Sequence, residues 1–405
     1  MSESITKNWI NDLHHIQEKT SRTIVGTMSG TSIDGLDVAV CRFTGWGIAT
    51  KFEVLHHGTV EYSDSQASIL RRFATEKMID MQELTIYHAE LSYWHAEMIS
   101  KLLTEWNLDS NEIDLLASHG QTVRHAPRRI HQLSGLPNST FQLGDGDHLA
   151  RLTGLITVHD FRQKHVATGG EGAPLAGYGD RILFSGDGNS KILLNVGGIS
   201  NITVLDVNDS DGIPLTFDTG PGNTLMDHVV RGSGAGVRYD EGGRIAALGQ
   251  VSMALLNSLK SHQYFAQSPP KTTGPEAFSP QFLLKCIKES GCGELTLEDM
   301  LATLNRFTAE TIAEAIQSCS GNLGPIPVYI SGGGAHNATL ISNLRQALGH
   351  HAVHDFSLLG VDPDAKEAVF FAALANECIM GSPVDVPQRD GTFTKTVLGK
   401  ISFPH

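Results

Sequence analysis

The sequence predicts an α/β protein made of two halves that repeat one supersecondary pattern. Three observations carry this reading. From Arg22 onward, short β-rich apolar runs alternate with helical stretches. A trio of strands at Thr23–Gly26, Leu36–Phe43 and Phe52–Tyr62 returns as a second trio at Lys191–Asn195, Ile202–Val207 and Leu215–Phe217. In both trios a turn containing glycine and serine joins the first two strands, Gly26 to Gly35 in one and Gly197 to Asn201 in the other. Repetition of one unit is the trace of a duplicated domain. The length of 405 residues suits two or three domains at roughly 150 residues each. No proline-rich linker separates the halves, so they are expected to pack closely around a ligand cleft.

Each element follows from local pattern. Trp9, Leu13 and Ile16 stand at helical spacing and predict a short docked helix. After the first three strands come helices at Ser65–Thr75 and Met81–Trp106. The second carries Tyr87, Leu91, Trp94, Met98 and Leu102 at steps of three or four, a core-facing stripe and not a cofactor box. Ile113–Ser118 and Leu155–His159 predict buried strands, with a helix at Gly146–Leu152 between them. The second trio is followed by helical segments at Asn223–Arg231 and Arg244–His262. A long helix at Leu297–Cys319, a strand at Val328–Ile330 and a last helix from about Ala365 to Cys378 complete the chain.

Composition narrows the function classes. Lys and Arg number 30 against 44 Asp and Glu, a net charge of −14, which argues against nucleic-acid and membrane-surface partners. The 42 glycines exceed the usual share of about 7 % and cluster after apolar runs, as loops that approach a ligand do. The cysteines, Cys41, Cys286, Cys292, Cys319 and Cys378, are odd in number and form no C-x-x-C pair, so neither a disulfide framework nor a zinc site is expected. The first 21 residues lack the apolar core of a signal peptide, and no apolar run reaches the ~18 residues of a membrane span. A soluble cytoplasmic protein is expected.

Three loops carry chemistry. Gly26 to Asp37 offers backbone amides and the hydroxyls of Thr31 and Ser32 as an anion nest. It reads equally as a hairpin, with Asp34-Gly35 as a type I′ turn. Ser331-Gly-Gly-Gly-Ala335 follows a strand and opens a helix near Asn337, an arrangement that places an anion at a helix N-terminus. It matches neither the Rossmann nor the Walker pattern. In Phe217-Asp-Thr-Gly-Pro-Gly-Asn223, Asp218 stands at a strand end where a general base belongs. The same residues also read as a turn started by Asp218 and a helix capped by Asn223.

Six motifs occur in one order along the chain: Gly30-Thr-Ser-Ile-Asp-Gly-Leu-Asp37, Ser118-His-Gly-Gln-Thr122, Asp160-Phe-Arg162, Asn195-Val-Gly-Gly198, Phe217 to Asn223, and Ser331 to Ala335. In this the sequence resembles the anhydro-N-acetylmuramic acid kinases from Arg22 to Pro404. The resemblance implies α/β architecture with duplicated ribonuclease H-like (actin-like ATPase) domains and an interdomain cleft. It sets residues 1–21 apart as an extension, 22–157 as the first domain and 158–380 as the second, with 381–405 packing back on the first.

The implied reaction opens the anhydro ring of 1,6-anhydro-N-acetylmuramic acid with water and phosphorylates the 6-oxygen from ATP. The resemblance assigns the water-activating base to Asp218. It places Gly30, Thr31, Ser32, Ile33, Asp34, Gly35, Leu36 and Asp37 along the ATP phosphates. Gly197, Gly198, Gly220 and Gly222 would add backbone amides, and Gly332, Gly333 and Gly334 would lie against the adenosine. Gln121, Thr122, Arg162, His119 and Glu367 are implied sugar contacts, with Arg162 suited to a lactyl carboxylate. For Glu367 a capping box from Asp364 is the competing reading, and for His119 a satisfied core histidine. Mg²⁺ on the phosphates and a homodimer are also implied. Lys271-Thr-Thr-Gly274 and Val397-Leu-Gly-Lys400 resemble the levoglucosan kinases as well, which leaves the sugar open. A nucleotide-gated, non-catalytic ATP-binding protein is the alternative from another class.

Overall fold

The computed structural model describes residues 8–208, 214–234, 236–320, 324–388 and 391–404. The chain divides into two units. One comprises Met1–Gly186 with Gly360–His405, the other Asp187–Leu359.

The first unit is built on β1 (Ser21–Ser29), β2 (Gly35–Thr44), β3 (Lys51–Glu61), β4 (Leu115–Ala126), β5 (Ser139–Leu143) and β6 (Thr157–His159). Its sheet runs β3-β2-β1-β4-β6, with β5 paired to β4. The first three strands are antiparallel neighbours, whereas β1, β4 and β6 are parallel. β1 and β4 are buried over nearly their whole lengths because helices cover both faces of the sheet. On one face the helices Asp64–Thr75 and Met81–Glu105 bring Leu70, Phe73, Leu91, Met98 and Leu102 against Val25, Val38 and Leu116. Tyr87 and Trp94 pack at the margin of that core, as their spacing predicts. The helix Lys366–Met380 lies on β1, β2 and β4. It approaches so closely that a Cβ on Gly26 would sit 2.0 Å from the Ala368 carbonyl oxygen.

The second unit repeats the plan with β7 (Lys191–Val196), β8 (Ile199–Leu205), β9 (Leu215–Pro221), β10 (Val328–Ser331) and β11 (Val353–Asp355). Its sheet runs β9-β8-β7-β10-β11, again with three antiparallel strands followed by parallel ones. The helices Leu297–Ser320 and Ala338–Leu348 supply Ile312, Ile316, Leu340 and Leu344 to its core. A separate apolar cluster joins Leu225, Val230, Leu255, Leu283 and Phe307 from four helices. Two sheets of one order and one set of directions make this the duplicated ribonuclease H-like architecture. In the first unit the chain then adds a hairpin, β12 (Val384–Pro387) with β13 (Phe393–Thr396), and β14 (Lys400–Ser402), which pairs antiparallel with β6.

Three local expectations change. The predicted helix Arg244–His262 shortens to Met253–Lys260, because Ser252 caps it by accepting from the Leu255 N–H. Ahead of it, Gly249 is extended with no room for a Cβ beside the Glu298 carbonyl. The strand expected at Ile113–Ser118 continues to Ala126, since its outer half finds a second partner in β5. The β1–β2 connection is a hairpin, but not through Asp34-Gly35. Ile33 takes the left-handed conformation at φ 54°, while Gly35 already lies in β2 against Val60.

Candidate active site

In the first unit the loop after β1 exposes Thr31, Ser32 and Asp34 and buries Ile33. Ser32 Oγ donates to Asp34 Oδ1 at 2.8 Å. The loop is held from beneath by Gln121, a fully buried side chain that accepts from Ser29 Oγ at 2.5 Å and donates to the Gly30 carbonyl at 3.1 Å. Ser29 Oγ also meets Tyr62 OH at 2.8 Å, and Tyr62 OH meets His95 Nε2 at 2.7 Å. This chain of polar groups was not legible in the sequence, where Tyr62 ends a strand and His95 sits mid-helix. Leu36 is core, and Asp37 Oδ1 accepts from Thr59 Oγ1 at 2.6 Å. Burial, and then the nearby Asp34 and Asp364, raise the Asp37 pKa above the ordinary carboxylate value.

Arg162 and His119 meet directly, with Arg162 Nε donating to His119 Nε2 at 2.8 Å. Arg162 Nη1 also donates to the Gly172 carbonyl at 2.8 Å. Burial lowers the Arg162 pKa to about 10, opposed by Glu367. His119 is buried against the Phe371 ring, with centroids 4.7 Å apart. Thr122 Oγ1 accepts from Gln142 Nε2 at 3.2 Å. Glu367 stands exposed in the first turn of the helix Lys366–Met380. That helix is capped by Ala365 with no side-chain hydrogen bond, so the capping box from Asp364 does not form. Desolvation raises the Glu367 pKa, Arg162 pulls it down, and Asp37 pushes it up further. Glu367 is thus within electrostatic reach of both Arg162 and Asp37.

In the second unit Asp218 lies inside β9 and is half-buried. Its Oδ2 accepts from the Thr273 N–H at 2.8 Å, and its own N–H donates to the Lys271 carbonyl at 3.0 Å. Tyr264 OH donates to the Asp218 carbonyl at 2.5 Å. Among the described residues Oδ1 has no protein hydrogen bond. Desolvation raises the Asp218 pKa, partly offset by the Thr273 N–H. Asp218 therefore starts no turn. Asn223 caps nothing with its side chain, which donates instead to the Val196 carbonyl at 3.3 Å. The Lys271-Thr-Thr-Gly274 motif proves to be the second clasp on Asp218.

The glycine loops of this unit converge. The Gly222 and Asn223 N–H groups donate to the Gly198 and Gly197 carbonyls, both at 2.8 Å. A Cβ on Gly222 would stand 2.2 Å from the Gly197 carbonyl oxygen. Gly220 has φ 142°, and a Cβ there would meet the Phe265 ring at 3.0 Å. Gly332, at φ 78°, would place a Cβ 2.7 Å from Asn195 Oδ1. Gly333 and Gly334 lead through a short turn to Asn337, whose side chain caps the helix Ala338–Leu348 by accepting from the Leu340 N–H at 2.9 Å.

The duplicated ribonuclease H-like fold, with a polar loop in one unit and glycine loops beside an anchored carboxylate in the other, is an architecture that phosphotransferases share. Within that class, residues 22–404 match the family model described as anhydro-N-acetylmuramic acid kinase, and the chain belongs to this family. The anhydro-N-acetylmuramic acid kinase of Pseudoalteromonas atlantica is 44 % identical over 98 % of this chain and 99 % of its own length. Its counterpart from Pseudoalteromonas translucida is 42 % identical over 97 % and 98 %. That from Caldanaerobacter subterraneus is 36 % identical over 96 % and 99 %. Among solved structures, a Schistosoma mansoni hexokinase complexed with glucose aligns over 88 % of this chain and 86 % of its own at 9 % identity, with a TM-score of 0.39. What defines the fold is the strand order that the two sheets share.

Proposed function

We propose that this chain is an ATP-dependent kinase that opens 1,6-anhydro-N-acetylmuramic acid with water and phosphorylates its 6-oxygen. The product is N-acetylmuramic acid 6-phosphate, an intermediate of cell-wall recycling. The carrying observation is Asp218, a half-buried carboxylate with Oδ2 fixed by the Thr273 N–H and Oδ1 uncommitted among the described residues. That is the arrangement a general base needs: one oxygen holds the geometry while the other takes a proton.

Water gives a proton to Asp218 and adds its oxygen to the anomeric carbon, the bond from that carbon to the 6-oxygen breaks, and the 6-oxygen takes the γ-phosphoryl group as ADP departs. The loop from Gly30 to Asp37 and the turns at Gly197-Gly198, Gly220, Gly222 and Gly332 to Gly334 bind the nucleotide in this reading. His119, Gln121, Thr122, Arg162 and Glu367 serve the sugar, either directly or by holding those that touch it. Among the described residues no three His, Cys, Asp or Glu side chains converge as a metal site. Mg²⁺ would enter with the nucleotide, and the oxygens of Thr31, Ser32 and Asp37 would be suited to hold it through its hydration shell. When bound it neutralises charge on the transferring phosphoryl group.

A cytoplasmic homodimer completes the reading. Family membership supports it, and no helix among the described residues is long and apolar enough to cross a membrane. A levoglucosan substrate is not favoured, since the relatives named above carry the muramic acid name over nearly their full lengths.

The test is phosphate transfer from ATP–Mg²⁺ to 1,6-anhydro-N-acetylmuramic acid and, in parallel, to levoglucosan, in ¹⁸O-labelled water. Turnover of the muramic sugar with label at the anomeric carbon supports the reading. Turnover of levoglucosan alone moves the substrate, and ATP binding without turnover of either leaves a nucleotide-gated binding protein.

A further inference from the structure

In the second unit both polar groups of the Asp218 backbone, and one of its carboxylate oxygens, are taken by a single stretch of chain. Tyr264 OH donates to the Asp218 carbonyl, the Lys271 carbonyl accepts from the Asp218 N–H, and the Thr273 N–H donates to Oδ2. Residues 264–273 therefore form a strap across β9 at Asp218, and the strap is fastened to itself. Lys271 Nζ donates to the Tyr264 carbonyl at 3.2 Å and lies over the face of the Tyr264 ring, 4.6 Å from its centroid. Tyr264 is buried, and its ring meets Phe265 and Phe278 edge-on with centroids 5.7 Å apart in each pair. Its N–H donates to His262 Nδ1 at 3.2 Å. The tyrosine is thus a fixed post, and the long lysine side chain is the part that can come away.

Lysines in folded proteins are mostly exposed, and those that are not are paired. Lys271 is half-buried, burial alone lowers its pKa, and among the described residues no carboxylate pairs with it. An aromatic face attracts the ammonium through its quadrupole and brings no charge of its own. An aspartate or glutamate in that place would set a second negative charge beside Asp218 and make the base harder to ionise. Among the described residues the titratable group that faces Asp218 is Tyr264, kept neutral because burial, and then that carboxylate, raise its pKa. The Lys271 charge does not act on Asp218 directly, since the Asp218 carboxyl is raised by desolvation and lowered by the Thr273 N–H. What Lys271 controls is the strap.

We propose that Lys271 is a positioning residue for the base: its ammonium latches the strap onto Tyr264, so that the Thr273 N–H holds Asp218 Oδ2 and leaves Oδ1 free for the proton. The proposal rests on the kinase reading above and adds the residue that keeps its base in place. Released from the ring, the strap loses its hold at Thr273, while β9 keeps Asp218 in the sheet. The carboxylate then loses the hydrogen bond that favours its charged form, so its pKa rises and its oxygens turn freely.

The test compares the full-length protein with Lys271→Met, which keeps an unbranched side chain and removes the charge, and with Lys271→Arg, whose guanidinium also stacks on an aromatic face. One readout is the pH dependence of kcat/KM for phosphate transfer to 1,6-anhydro-N-acetylmuramic acid. The other is the titration of the Asp218 carboxyl carbon by ¹³C NMR, assigned by its absence in Asp218→Asn. In Lys271→Met the acid limb and the carboxyl titration should both move up by about 0.5–1 pH unit, because a hydrogen bond to the charged form is lost. On the plateau kcat should fall about 10-fold with KM for ATP unchanged. Lys271→Arg should restore most of both, and Lys271→Gln gives the same readout should Lys271→Met not fold. A lower kcat or melting temperature with neither titration moved overturns the proposal and makes Lys271 structural. A rise in KM for ATP with the acid limb in place also overturns it, and puts the ammonium on the phosphates. If the unaltered protein turns over no sugar, the kinase reading fails, and the NMR titration decides the strap by itself: a shifted carboxyl keeps it and an unshifted one removes it.

Discussion

The two sheets share strand order and direction, yet the hairpins that open them are secured by different means. In the first unit the β1–β2 loop projects hydroxyls and a carboxylate, and side chains hold it through Gln121 and the Ser29–Tyr62–His95 chain. In the second unit the Gly197-Gly198 turn is clasped by backbone N–H groups of Gly222 and Asn223, with no space for a Cβ between them. One duplicated frame has therefore diverged into a loop held by side-chain chemistry and a turn held by close backbone approach. The first should be sensitive to loss of a polar atom, the second to gain of a carbon.

The largest effect that would sharpen this contrast is expected at Asp218, which the second unit fixes through backbone. Asp218→Asn should lower kcat by roughly 10²–10⁴-fold, the usual worth of a general base, with ATP affinity nearly unchanged by calorimetry. Next comes Gly222→Ala. A Cβ at 2.2 Å from a carbonyl oxygen forces the turn open, and thermal melts should show a loss of about 2–3 kcal/mol together with weaker ATP binding. An unchanged melting temperature would break the backbone-clasp account. In the first unit Tyr62→Phe removes two buried hydrogen bonds, to Ser29 and to His95, each worth about 1 kcal/mol. Its KM for ATP should rise a few-fold with kcat preserved, whereas an equal loss in both would mean that the chain does more than position the loop.

The smallest effect is on stability against pH. The folded-state pKa of Asp218 is raised, so the native protein keeps this proton to higher pH than the unfolded chain does. The favourable contribution is present below the unfolded carboxylate pKa of about 3.9 and is lost as pH rises towards the folded value. Asp218→Asn should therefore melt at a slightly higher temperature than the unaltered protein at pH 7.5, with the difference vanishing near pH 4. For the same reason the acid limb of kcat/KM should lie above the pKa of an ordinary aspartate.

Strand trios and amphipathic helices were legible because their periodicity is local. Leu91, Met98 and Leu102 show their role in the spacing alone. The family motifs located the loops and Asp218. What the sequence hid was long-range. β5, which gives β4 its second partner, is a short run with no clear period, and β14 pairs with a strand more than 200 residues earlier. The supports of the site were hidden for the same reason: Thr273 for Asp218, Tyr62 and His95 for the loop, and Gln142 beside Thr122 are polar residues whose meaning lies in partners distant along the chain. The readings of Asn223 as a helix cap and Glu367 as half of a capping box failed because local rules describe what a residue can bond: the Asn223 side chain turns to the Val196 carbonyl, and the helix that carries Glu367 starts from Ala365 and not from Asp364.

The close fit of Gly26 under Ala368 also bears on how the chain is made. On the ribosome, β1 is finished long before the helix that covers it exists, whereas the second unit, Asp187–Leu359, emerges as one uninterrupted stretch. The part synthesised first is thus the part completed last, and the nascent first unit waits with one face of its sheet bare until residues beyond Gly360 arrive. Chaperone demand during translation should accordingly fall on the amino-terminal strands, and ribosome-stalled chains ending near Leu359 should be protease-resistant in their second unit but not in their first.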